Sequence, residues 1–213
     1  MNKVKSFLRK IQLKFIVTNL FFIVLLMILY LSSYISIFTV GFLFDILFFI
    51  GLTSIFHFAI GNNLAKNIIF TVIGSIFTIL FNVDHIYFGF FSKFASASSL
   101  VNAGMVLDNL GAYEINIDIF NILMIVLLGL FITFLFVYKD NNKRFKERVF
   151  YSIPMVLVWV PFITIYILCY NDQLLLDLLL FPKRHKFPNF INSFGYIFYR
   201  YEDLMVVLEI LGG

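Results

Sequence analysis

Residues 15–35 read FIVTNLFFIVLLMILYLSSYI, twenty-one residues without an Asp, Glu, Lys or Arg. As an α-helix this stretch would measure roughly 31 Å, about the thickness of the hydrocarbon core of a bilayer. The remaining chain has the same character. Of 213 residues, 62% are hydrophobic and only 13% charged, against roughly 45–50% and 25% in soluble domains. A water-exposed surface could not be covered from such a composition, so the sequence predicts an integral membrane protein.

Four further stretches nearly free of formal charge reach or approach spanning length, at about 44–61, 64–83, 118–138 and 149–169. The third is short, and Lys66 can extend it by snorkelling. Backbone groups in lipid must be satisfied within the segment, which makes the spans helices. The expected fold is therefore all-α, a five-helix transmembrane bundle. The patches 174–181 and 204–211 are too short to cross. The basic start (Lys3, Lys5, Arg9, Lys10, Lys14) resembles a signal peptide, but the apolar run is too long and no A-x-A site follows. Cys169 has no second cysteine to pair with, and reads as a small apolar residue of the fifth span.

Orientation follows from the basic residues. With residues 1–14 inside, the inner segments 1–14, 62–67 and 139–148 hold 11 of the 16 Lys and Arg. The positive-inside rule then gives a cytoplasmic N-terminus and an extracytoplasmic C-terminus. Each basic tract abuts a span, which argues against nucleic acid as a partner. PKRHK at 182–186 is the exception to the rule. Most acidic residues, Asp84, Asp108, Glu114, Asp118 and Asp203 among them, fall on the outer side.

At that outer side lies FNVDHIYFGFFSKFASASSL, residues 81–100. Its rings match the interfacial aromatic belt. Asp84 is either the solvated end of the third helix or part of a groove for a headgroup or partner chain. Asp84 and His85 make a poor metal pair, because adjacent residues leave a helix in different directions. Residues 92–110 read as an interfacial amphipathic helix, with Leu100, Ala103, Leu107 and Leu110 on one stripe. In the linker 170–213, Phe194, Ile197, Phe198, Tyr201, Met205 and Leu208 share a helical face. Asp84, His85, Tyr87, Lys93, Asn102 and Asp108 are thus the candidate contacts for lipid or partner. No catalytic or metal-ligating residue stands out, and no cofactor is expected in this chain.

Within the spans, Asp45 and His57 read as water-line residues, and Asn19 as a bond to a neighbouring helix. Gly74 and Ser75 suggest close helix packing, and Pro154 with Pro161 a kinked fifth helix. The sequence contains no G-x-x-x-x-G-K-[ST], G-x-G-x-x-G, G-x-S-x-G, H-E-x-x-H or C-x-x-C.

Five spans, DHIYFGFF after the third, NLGAY before the fourth and SFGYIFYRYEDL near the end resemble the membrane portion of lipoteichoic acid synthase-like phosphoglycerol transferases. Gly195, Tyr199 and Asp203 are the best-matching positions of the last motif. The resemblance implies a multi-pass protein of a bacterial cell membrane. It also implies an outer sulfatase-like domain, with a threonine nucleophile and a divalent metal, acting on phosphatidylglycerol. Neither has a counterpart in these residues, so the resemblance implies a shortened chain, a split gene product or a stand-alone membrane module. Two other readings compete: a non-enzymatic scaffold that binds a membrane partner, and a small transporter. The transporter calls for midplane charges, broken helices or paired repeats, which the spans lack.

Overall fold

The structure, a computed structural model, describes residues 13–95, 117–138, 145–160, 191, 195–201 and 203–204, with the backbone alone at 146, 147. All regular structure among them is helical. Helix α1 (Leu13–Ser32), α2 (Val40–Ala59), α3 (Asn63–Phe91) and α4 (Ile119–Val137) are long and apolar enough to cross a membrane. A short helix α5 (Phe145–Arg148) leads into a helical stretch, Val149–Val160, whose first turn is 3-10. Residues 161–169, which would complete the expected fifth span, lie outside the described residues, so the structure describes four spanning helices. Pro154 sits early in the α-helical part of its stretch, where few amide bonds are lost. Pro161 falls outside.

The helix starts are chemically marked. Thr39 caps α2 through the Phe42 amide, Asn62 caps α3 through Leu64 and Ala65, and Asp118 with Asn121 forms a reciprocal capping box on α4. Helix α3 runs to Phe91, eight residues past the expected end at 83. IYFGFF carries no helix breaker that stops it, and the chain turns only at Ser92, whose left-handed backbone (φ 52°) forms the C-cap. The expected interfacial helix therefore does not begin at 92. Residues 92–95 are non-helical, and 96–110 lie outside the described residues.

Helix α1 is the hub, packing against α2, α3 and α4, and α3 also packs against α4. Its Phe22, Leu25, Leu26 and Leu29 are fully buried. Ring stacking supplies much of the cement: Phe21 on Phe131 at 4.0 Å, Phe22 on Phe49 at 4.5 Å, and Phe77 edge-on to both Phe22 and Phe49. Gly74 lets these rings in, since a Cβ there would meet Phe21 at 3.1 Å and Phe131 at 3.3 Å. Asn19 accepts from Thr53 of α2 at 2.8 Å, the cross-helix bond its position suggested. Many outward side chains, such as Leu20, Ile76, Ile125 and Leu130, are apolar and exposed, as lipid-facing surface requires.

The antiparallel order gives the bundle two ends. One, the Lys14 end, gathers the start of α1, the end of α2, the start of α3 and the end of α4. The other, the Asp84 end, gathers the opposite termini and residues 191, 195–201 and 203–204.

Candidate functional site

The polar chemistry of the described residues concentrates at the Asp84 end. Asp45, on the second turn of α2, is buried. Its carboxylate accepts from the Tyr30 hydroxyl at 2.7 Å, the Tyr196 amide at 2.7 Å and the Ile197 amide at 3.0 Å. Those amides open the helical residues 196–201, so a carboxylate from another helix supplies their N-terminal cap. Gly195 (φ +91°) makes the bend that aims them. A Cβ on Gly41 would overlap the Ile191 carbonyl and the Gly195 amide. Two glycines thus set how closely the segment approaches α2.

Asp84 forms the second prong. One carboxylate oxygen accepts from the Ala95 amide at 3.2 Å and pairs with the Arg200 guanidinium, and the other accepts from the Tyr196 hydroxyl. Tyr196 therefore bridges two carboxylates, its amide on Asp45 and its hydroxyl on Asp84. Its ring stands edge-on to Phe81 and Phe94 at 5.0 and 5.2 Å. Burial, with the Asp45 charge next, pushes the Tyr196 phenol well above its ordinary pKa, so it acts as a donor. Arg200 also donates to the Tyr196 hydroxyl at 2.9 Å, to the Ala95 carbonyl and to Asp203 at 3.4 Å. Burial pulls its pKa down to about 10 against the opposing effect of Asp203, and it stays charged at neutral pH.

His85, one residue on, turns the other way. Its Nε2 meets Asp118 Oδ2 at 2.9 Å, and beside it Asn121 donates to Asn82 at 2.9 Å, tying α3 to the start of α4. Burial raises the Asp118 pKa, but bonds from His85, Asn121 and Phe120 outweigh it and hold the carboxyl below its ordinary value.

Several sequence expectations change here. Asp84 is not a solvated helix end but wholly buried, and Asp45 and His57, near the two ends of α2, are enclosed by neighbouring side chains rather than open to solvent. His57 packs among the rings of Phe15, Phe70 and Tyr151. Tyr87 is half-buried against Phe91 at 4.4 Å, Lys93 is exposed, and Asn102 and Asp108 lie outside the described residues. In the segment after Gly195, the inward side is Tyr196, Ile197, Tyr199 and Arg200, whereas Tyr201 is exposed. Polar anchors choose that side, and an apolar periodicity cannot register them. Tyr30, Asp45, Tyr196 and Arg200 were missed as site residues. The one available signal was Arg200, a basic residue on the side where basic residues are few.

Among the described residues, no group of three or more His, Cys, Asp or Glu is placed to hold a metal. The arrangement is built to bind and orient a chain segment. No family model, curated protein or solved structure matches this chain.

Proposed function

We propose that the chain is a multi-pass membrane module of the lipoteichoic acid synthase-like kind. It anchors and orients phosphoglycerol transfer at the extracytoplasmic face of a bacterial cell membrane, with the Asp84 end outward. The observation that carries this reading is the seating of SFGYIFYRYEDL. In the related enzymes this stretch leads to the catalytic domain, and here two buried carboxylates grip its Tyr196, Ile197 and Arg200. A lever held in this way sets the height and angle of whatever it carries above the bilayer. The transferase chemistry, with its threonine and divalent metal, is assigned to a separate sulfatase-like domain or partner protein. Phosphatidylglycerol is the proposed lipid. Of the candidate contacts among the described residues, Tyr87 and Lys93 retain the exposure needed to meet its headgroup, because Asp84 and His85 are engaged within the protein.

Two measurements test this reading. With Cys169 replaced by Ser, a cysteine at position 93 should react with an impermeant maleimide in intact cells. Labelling only after permeabilisation overturns the orientation. In membranes containing the chain, headgroup-labelled phosphatidylglycerol should be converted to polymer and diacylglycerol. Lys93→Ala with Tyr87→Ala should lower that conversion at unchanged protein level. Equal conversion in membranes from cells lacking the chain removes the transferase role.

A further inference from the structure

Ala95 is the last described residue directly after α3, and both its amide and its carbonyl are occupied. Its amide goes to Asp84 and its carbonyl to Arg200. The Tyr199 hydroxyl reaches the neighbouring Phe94 carbonyl at 3.5 Å, and the buried Phe94 ring lies against Tyr196 and Tyr199. The exit of α3 and the segment after Gly195 thus share one carboxylate and one guanidinium, although about a hundred residues separate them.

We propose that Asp45 and Asp84 form a two-pronged docking site for residues 196–200, and that occupancy of this site, through Arg200, sets the position of residues 92–95. The physical reason is the burial of the shared groups. If the segment departs, Asp84 loses both its cation and the Tyr196 hydroxyl, and the Ala95 carbonyl loses its donor, Arg200. A buried carboxylate does not persist as an unpaired charge, so the Asp84 side chain and residues 92–95, which it holds through the Ala95 amide, rearrange together. The His85–Asp118 contact faces away from this junction and, among the described residues, shares no partner with it. It serves as an internal control. This coupling holds whatever chemistry the module serves.

Hydrogen exchange on the full chain in phosphatidylcholine–phosphatidylglycerol nanodiscs tests it. Arg200→Lys keeps the charge and loses the fork that spans Asp84 and Ala95. The amides of Tyr196, Ile197 and Ala95 should all exchange roughly tenfold or more faster, the change expected from losing one charge-assisted hydrogen bond. Those of Phe120 and Asn121 should not change. Asp45→Asn, which weakens the prong that does not touch Ala95, should still speed exchange at Ala95. Faster exchange at 196–197 with Ala95 unaltered in either variant overturns the coupling, and so does an unchanged segment in both. If Arg200→Lys does not fold, Asp45→Asn alone decides.

Discussion

At the Lys14 end, cations meet carbonyls. The Lys14 ammonium donates to the Leu135 carbonyl at 2.9 Å and to Asn67 at 3.0 Å, and Arg148 donates to the Phe58 and Ala59 carbonyls at 2.8 Å. These carbonyls are the last acceptors of α4 and α2, left over where each helix stops. At the Asp84 end, carboxylates meet amides: Asp118 those of Phe120 and Asn121, Asp45 those of Tyr196 and Ile197, Asp84 that of Ala95. Both ends thus place charge where helix termini and turns leave backbone groups unpaired. They differ in where the partners come from. Among the described residues, the Lys14 end is closed by the spans and the short helix beside them. The Asp84 end is completed by a segment more than a hundred residues beyond the carboxylates it binds. One end is built into the bundle, and the other depends on a guest from the same chain.

If that contrast is sound, the most damaging single change lies at the dependent end. Asp84→Ala leaves Arg200 with Asp203 alone as a counter-charge and takes the acceptor from the Tyr196 hydroxyl and the Ala95 amide, and should cost about 3–5 kcal/mol, read as a drop in unfolding midpoint in detergent. Gly41→Ala comes next. Its methyl would collide with the Ile191 and Gly195 backbone and should cost about 1–3 kcal/mol by overpacking. Limited proteolysis should show residues 195–204 cut faster while α1–α4 stay protected, and an unchanged pattern would mean that the segment is not seated on α2. At the self-contained end, Lys14→Met removes the hydrogen bonds but keeps the apolar stem, and a loss of about 1–2 kcal/mol is expected. A loss equal to that of Asp84→Ala would erase the distinction between the ends.

Smaller still is the acid response of the α4 cap. The Asp118 carboxyl titrates below its ordinary value in the folded protein. Its stabilising contribution is complete above the unfolded pKa near 3.8 and disappears as pH falls through the lowered folded value. Exchange at Phe120 and Asn121 should therefore quicken only in that acidic window, and Asp118→Asn should abolish the dependence. Gly129→Ala, where a Cβ meets nothing within 4 Å, should be neutral or stabilise by up to about 1 kcal/mol.

The four described spans were legible because hydropathy over twenty residues is a property of composition, and the bilayer reads the same property. Their ends were less so. Helix α3 overran its apolar stretch because the interfacial rings after His85 are compatible with helix. The site was nearly illegible. Asp45, Asp84 and His57 looked like water-line residues, because a hydropathy profile records what a side chain is and not what is folded against it. Arg200 stands 116 positions from Asp84, and no periodicity joins them. Asn19, whose partner is on the adjacent helix, could be read locally and was.

Asp84 and His85 are consecutive, yet one holds Ala95 and the other Asp118. Two points of the chain twenty-three positions apart are thus fastened to one turn of α3, like two threads to one stitch. Unwinding that single turn would slacken both at once, whereas losing either side chain alone frees only one.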